Sequence, residues 1–434
     1  MQSASAEHRP INVLYDASVL GMGSARASAR TGIFRVVKQI AEGLAASSEC
    51  NLTFAAPGSL RTLQEVRKYL GTQSQFSQVP LSNAPFNGAS ERGFAIFAKR
   101  VDNLAAICHF GRFLRRAVLG GADRMISRAH RPGWTDLGPA DVYHSPHLPL
   151  PPTGRARATE RFLTVYDLVP LRHPELFGRR HLRRMRKVFA SLGREDWALC
   201  ISQSTKDDLC EQLRIDESRA FVTPLAAAPE IFHPCTDSDW ISAVRSKYGI
   251  PAAPYYLSLN TLEPRKNMRH AITSFARLLR EQNLPDLNYV LVGAKGWSYE
   301  PIFKAIEEAG SIGERIICVG YVDEEDLAPL YSGALGFVYP SLYEGFGLPP
   351  LEAMQCGVPV ITSNTSSLPE VVGNAGIMVD PYDEDELSQS MWEIYRNAPL
   401  RAHMQAKSLA RAAEFSWDRC IAETVAAYRT ALAC

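Results

Sequence analysis

The chain has 434 residues, of which 46% are hydrophobic and 21% charged, with a formal net charge of +1. That length is too great for one hydrophobic core and predicts two domains. The composition is that of a soluble globular protein, and no run approaches the ~20 apolar residues a membrane-spanning helix needs. Beneath the balanced total, residues 1–230 hold 31 Lys and Arg against 21 Asp and Glu (+10), and the remainder holds 16 against 25 (−9), so the first half is expected to meet something anionic.

In chain order, residues 1–10 are polar and lack the apolar core of a signal peptide. Residues 11–15 (Ile-Asn-Val-Leu-Tyr) read as a buried strand. A Ser/Ala/Gly-rich loop is expected over 21–30. A helix over 33–44 and a strand over 52–55 follow. Residues 80–139 break the pattern and read as a helical insertion. Strands are then expected at 142–144, 162–166, 198–202 and 221–224, with a helix over 206–213 and a linker over 229–239. The second half alternates more cleanly. Strands are predicted at 255–259, 289–292, 316–319, 337–339, 358–362 and 377–379. Helices are predicted at 268–279, 302–309, 326–331, 351–356 and 385–396, and a last helix over 417–432. Such alternation argues for two Rossmann-like domains, each an α/β doubly wound parallel sheet, over 1–230 and 231–416, with a cleft between them.

Nine cysteines are scattered, with no Cys-x-x-Cys pair and no His cluster at zinc spacing. They read as reduced thiols of a cytoplasmic protein, and no metal site is expected. Residues 92–131 interleave Phe94, Ile96, Phe97, Phe110, Phe113 and Leu114 with Arg and Lys. Arg179, Arg180, Arg183, Arg184, Arg186 and Lys187 form a second basic cluster. Both patterns suit an anionic inner-membrane face or a lipid diphosphate, and a plain solvated surface remains the alternative. No nucleic-acid motif accompanies the charge, so nucleic acid is not expected as a partner.

The most telling segment is Tyr339-Pro340-Ser341-Leu342-Tyr343-Glu344-Gly345-Phe346-Gly347-Leu348-Pro349-Pro350-Leu351-Glu352. A strand ends, a glycine loop turns, and a helix begins. Free N–H groups and the positive end of a helix dipole suit an anion, and the two flanking carboxylates suit hydroxyls. The second segment is Leu259-Asn260-Thr261-Leu262-Glu263-Pro264-Arg265-Lys266-Asn267, where two cations precede a helix and can neutralise a diphosphate. The Glu-x7-Glu spacing around Gly-Phe-Gly, together with Glu-Pro-Arg-Lys, resembles retaining glycosyltransferases of family 4. Among these, the bacterial mannosyl- and rhamnosyltransferases of surface polysaccharide synthesis are the nearest likeness.

That resemblance implies the GT-B fold, with the last helix crossing back to the N-terminal domain. It implies that Glu344 binds hydroxyls of the transferred sugar, that Glu352 binds the ribose, and that Gly345, Phe346, Gly347 and Leu348 present backbone. Arg265 and Lys266 face the diphosphate, with Asn260 and Thr261 beside them; many family members have an Arg near Asn260. Tyr321 and Val322 lie where the family meets the base, and Gly32 opens the glycine-bearing helix of the first domain. Where the family carries a catalytic His, this chain has Tyr166, followed by Asp167. Either Tyr166 takes that positioning role or His144 supplies the imidazole. Ser202 resembles a Ser-bearing strand end of the family and is otherwise a helix cap. The implied activity is retaining transfer of a hexose, mannose favoured, from a nucleotide diphosphate sugar, GDP-mannose favoured. The acceptor is a glycan or polyprenyl-diphosphate-linked hydroxyl; no cofactor is implied, and the enzyme works in the cytoplasm or peripherally at the inner membrane. Two other readings stay open: a non-catalytic sugar-nucleotide-binding scaffold, and a GT-B epimerase.

Overall fold

The computed structural model describes residues 9–25, 32–82, 88–107, 117–123, 125, 140–151 and 158–434. The apolar runs form strands buried on both faces, as a parallel sheet covered by helices requires. In the first sheet these are β1 (Ile11–Asp16), β2 (Cys50–Ala55), β3 (Ala140–Ser145), β4 (Ala158–Val165), β5 (Trp197–Cys200) and β6 (Ala220–Val222). In the second they are β7 (Tyr255–Leu259), β8 (Asn288–Val292), β9 (Ile316–Gly320), β10 (Gly336–Tyr339), β11 (Val360–Ser363) and β12 (Ile377–Val379). Every pairing is parallel.

The strand orders are β2-β1-β3-β4-β5-β6 and β12-β11-β10-β7-β8-β9. The order reverses between β1 and β3 in the first sheet and between β7 and β10 in the second. At such a switch point the flanking connections leave toward opposite faces and open a crevice beyond the carboxyl ends of the strands. The architecture is the GT-B arrangement of two doubly wound lobes. The helix Trp417–Leu432 leaves the second lobe and packs on the first, against the helix Gly32–Ala46 and strands β4 and β5. Its Tyr428 is fully buried, and Arg429 pairs with Glu49.

Several elements differ from the sequence expectations. Residues 21–25 belong to a helix, Ser18–Ala25, rather than a loop; Gly21 and Gly23 are tolerated there because Val66 and Phe34 fill the space a Cβ would need. The helical insertion includes Gly88–Ile107. Thr31 and residues 26–30 lie outside the described residues, as do 108–116, 124 and 126–139, which carry much of the basic stretch between 92 and 131. The presumed linker after 229 runs into a helix, Ser238–Lys247, capped by Asp237. The helix after the glycine loop starts at Leu348, with Pro349 and Pro350 in its first turn, where no N–H is required.

Candidate functional site

The site begins at the ends of β7 and β10, the two strands that flank the second switch point. After β7, Pro264 sets a short 3-10 turn, Pro264–Lys266, that carries Arg265 and Lys266. After β10, the chain turns through Ser341 to Glu344. The turns are tied together: Leu342 N–H donates to the Arg265 carbonyl at 2.9 Å, and Asn267 Nδ2 donates to the Pro340 carbonyl at 3.2 Å. This places Lys266 Nζ 2.6 Å from Glu344 Oε1 and Arg265 Nη1 2.7 Å from Glu344 Oε2. Tyr339 Oη and Ser341 Oγ donate to the same Oε1 at 3.0 and 2.7 Å. Lys266 also reaches the Tyr339 hydroxyl at 2.6 Å, and Arg265 pairs with Glu263 at 2.8 Å.

All of this is nearly water-free: Glu344 and Lys266 are each 8% exposed. Burial alone would raise the Glu344 carboxyl, but Arg265 and Lys266 outweigh it and hold the group at about 2. Burial, with Arg265 next to it, depresses the Lys266 amine, and Glu344 opposes that shift. Two cations and two carboxylates thus balance. Donor capacity is left over. Of its three N–H groups, Lys266 uses two, on Tyr339 and Glu344. Arg265 donates Nε–H to Glu263 and an Nη1–H to the Tyr343 carbonyl, and its Nη2 and Nη1 also make ion-pair contacts with Glu263 and Glu344. Each cation keeps at least one donor, and Glu344 keeps acceptor room on Oε2.

The glycine loop lies directly beyond. Among the described residues, the N–H groups of Gly345, Phe346 and Gly347 have no hydrogen-bond partner. Gly347 stands at φ 120°, which a side chain rarely adopts. A Cβ on Gly345 would lie 1.8 Å from the carbonyl oxygen of Tyr166, so only glycine lets the loop press against the first lobe. Ser202 and Thr205 donate from that lobe to the Gly345 carbonyl at 2.7 and 3.0 Å. From behind, Ser367 holds the carbonyls of Glu344 and Phe346. The loop's carbonyls are therefore committed to the protein, and its N–H groups are available to an anion.

Glu352 is 3% exposed and meets Arg35 of the first lobe at 3.2 Å. Burial pushes its carboxyl up, and Arg35 opposes that shift. A cavity of about 220 Å3 opens between the helix Gly32–Ala46 and the start of the helix Leu348–Gln355, lined by Arg35, Gln39, Phe232, Glu324, Leu348 and Glu352. Lys266 and Glu344 do not line it, and its size suits part of a nucleotide sugar, below the about 300–1,000 Å3 of whole ligand sites.

The remaining sequence expectations fall at several distances from this centre. Burial pushes the Asp167 carboxyl up, Arg265 and Lys266 oppose that shift and Glu344 adds to it, and its Oδ1 accepts from Val169 N–H at 3.1 Å. Gly32 opens its helix one turn before Arg35. Asn260 points its amide at Met268 Sδ (3.4 Å), leaving Oδ1 unpartnered among the described residues, and Thr261 is exposed next to Gly296. Val322 is buried, whereas Tyr321 is 76% exposed. Phe346 packs its ring edge-on against Phe415 and has only its backbone toward the loop.

Two expectations need correction, and a third resolves to the helix cap given as its alternative. His144 cannot offer an imidazole to a ligand, because it is fully buried with Nε2 on Thr164 Oγ1 and Nδ1 on the Tyr428 hydroxyl, each at 2.7 Å. Burial drives its ring down to about 3, so it is a neutral pin between β3 and the last helix. Tyr166 buries its hydroxyl near Tyr15 and Cys420 without a hydrogen-bond partner among the described residues, and only its backbone reaches the glycine loop. Ser202 caps the helix Gln203–Leu213 and clasps Gly345, and both roles use its one hydroxyl. Sequence reasoning assigned no role to Arg35, Glu263, Tyr339 or Ser341. Arg35 had a signal, one turn into the helix that Gly32 opens, and Glu263, Tyr339 and Ser341 stand within the two telling segments.

Residues 242–411 match the family described as glycosyl transferases group 1. Over 319 residues, 73% of this chain and 82% of the relative, the chain is 34% identical to O-antigen chain mannosyltransferase B of Escherichia coli. It is 32% identical over 255 residues to the serotype-specific mannosyltransferase WbdA of Escherichia coli, a match over 58% of this chain but only 31% of that longer protein. In fold it resembles sucrose-phosphate synthase from Thermosynechococcus elongatus, with a TM-score of 0.63 at 19% identity over 96% of this chain and 98% of the other.

Proposed function

Since the chain belongs to the glycosyl transferases group 1 family, and is therefore a hexosyl-transferring enzyme of polysaccharide synthesis, we propose that it moves mannose from GDP-mannose to a glycan hydroxyl with retention of configuration. The observation that carries this reading is the Lys266–Glu344 contact of 2.6 Å at the switch point, next to the unpartnered N–H groups of the glycine loop. A diphosphate laid across the loop receives the spare donors of Arg265 and Lys266 together with the loop N–H groups. The sugar then meets the open side of Glu344, and the ribose meets Glu352. As the anomeric bond breaks, negative charge grows on the diphosphate where these donors are already fixed, which lowers the barrier without reorganisation. The acceptor hydroxyl approaches on the same face, and its proton passes to the departing phosphate oxygen. This route needs neither a general base nor a bound metal. The first lobe, with the last helix, serves as the acceptor side, and the second lobe holds the donor.

Incubating the purified protein with a panel of nucleotide sugars and an acceptor, and measuring nucleoside diphosphate release, tests the reading. Release from GDP-mannose above the others, with an α-linked product, is the expected outcome; release from none of them sinks it. Within that assay, Glu352→Ala removes two hydrogen bonds to the ribose and is expected to raise the donor KM about tenfold with kcat little changed. An unchanged KM would remove Glu352 from the ribose site.

The helix Arg179–Phe189 exposes Arg179, Arg180, Arg183, Arg184, Arg186 and Lys187. Among the described residues none of the six forms an ion pair, although two of them stand at the positive end of the helix dipole. No helix among the described residues is long and apolar enough to cross a membrane. We infer that this cationic face rests on anionic headgroups. Co-sedimentation with phosphatidylglycerol vesicles, abolished by Arg183→Glu with Arg186→Glu and by high salt, is expected; equal binding to phosphatidylcholine vesicles would refute it.

A further inference from the structure

Two polar side chains of the first lobe, His147 and Asp167, each stand two residues beyond the carboxyl end of a strand, β3 and β4, where the crevice opens. His147 follows β3, and its ring meets the Tyr166 ring edge-on at 5.8 Å. β3 flanks the switch point of the first sheet, and the Tyr166 carbonyl presses on Gly345. Asp167, next in the chain, sets its Cβ against Gly345 of the glycine loop. His181 stacks on Phe177 at 5.0 Å. Phe177 tilts against Trp297 of the second lobe at 5.4 Å, and Trp297 is 41% exposed.

Among the described residues, neither ring nitrogen of His147 has a hydrogen-bond partner. Burial, aided by Arg184 and His181, lowers the ring to about 4. At neutral pH the imidazole is therefore uncharged, with one nitrogen donating and the other accepting. That pair of functions matches a hydroxyl, which also both donates and accepts. The neighbouring candidates are spent: His144 has both nitrogens occupied, and the Tyr166 hydroxyl is buried away from the loop.

We propose that His147 is an acceptor-positioning residue, hydrogen-bonded to a hydroxyl of the acceptor carbohydrate on the first lobe's side of the cleft. Asp167 stands ready to accept from the same sugar, and the Phe177–Trp297 pair offers an apolar face to its C–H groups. This inference rests on the glycosyl-transfer reading and adds to it the place where the acceptor lies.

The test compares the wild type with His147→Phe and His147→Gln, using GDP-mannose as donor and methyl α-mannoside as acceptor. Transfer and acceptor-independent donor hydrolysis are measured separately, and melting temperatures confirm folding. His147→Phe is expected to raise the acceptor KM about tenfold or more, leaving the donor KM and hydrolysis unchanged, the size of one lost hydrogen bond. His147→Gln, which can still donate and accept, is expected to recover most of that loss. An unchanged acceptor KM in His147→Phe, or a rise confined to the donor KM, overturns the proposal while leaving glycosyl transfer intact. Absence of both transfer and hydrolysis in the wild type overturns the transfer reading, and this inference with it.

Discussion

Lys266→Ala is expected to lower kcat about 10²–10³-fold, the loss typical of removing one preorganised donor from a developing oxyanion. The amine has the geometry for this. It is 8% exposed, held by the Tyr339 hydroxyl and Glu344, and keeps one N–H free. Because only the departing diphosphate gains charge in the transition state, the loss falls on kcat more than on KM. Steady-state rates of nucleoside diphosphate release at saturating donor measure it. A variant turning over within about threefold of the wild type would leave the charge-stabilising role to Arg265 and the loop amides.

Glu344→Ala is expected to be the most damaging single change to stability, at about 3–5 kcal/mol, because it leaves Arg265 and Lys266 buried without their shared counter-ion. Tyr339 and Ser341 also lose the acceptor they share. Urea unfolding reads the cost. Its pH dependence has a definite sign. The Glu344 carboxyl lies at about 2 in the folded protein, below its ordinary 4.5. Its stabilising contribution is therefore complete above 4.5 and is lost as pH falls toward about 2, so the gap between wild type and variant is expected to narrow over that interval. A gap that stays constant from pH 7 to 3 would show that the carboxylate's charge is not what the two cations require.

The two-lobed fold was legible because parallel strands buried on both faces appear as unbroken apolar runs, and those of β7, β8 and β10 fall within a residue or two of their observed bounds. The centre of the site was legible for a related reason. Arg265, Lys266 and Glu344 each follow such a strand directly, so the strand's position fixes theirs. What escaped was whatever depends on packing between distant segments. The pattern around His144 and Tyr166 placed both at strand ends. It could not show that Thr164 and a helix more than two hundred residues later would each take one nitrogen of the first, or that the ring of the second would turn inward toward that helix. Ser202 was equally ambiguous, since a hydroxyl at a helix start serves as a cap whether or not a neighbouring lobe offers it a carbonyl. His147 gave no signal in the sequence because its significance lies in what it does not touch.

The buried contact between Tyr428 and His144 has a consequence for biosynthesis. The helix that covers the first sheet is translated roughly two hundred residues after the strands β4 and β5 on which it packs, so those strands leave the ribosome with one flank still bare. At about 5–20 residues per second, some two hundred further residues mean a wait of roughly 10–40 seconds, during which a greasy surface is open to chaperones or to premature aggregation.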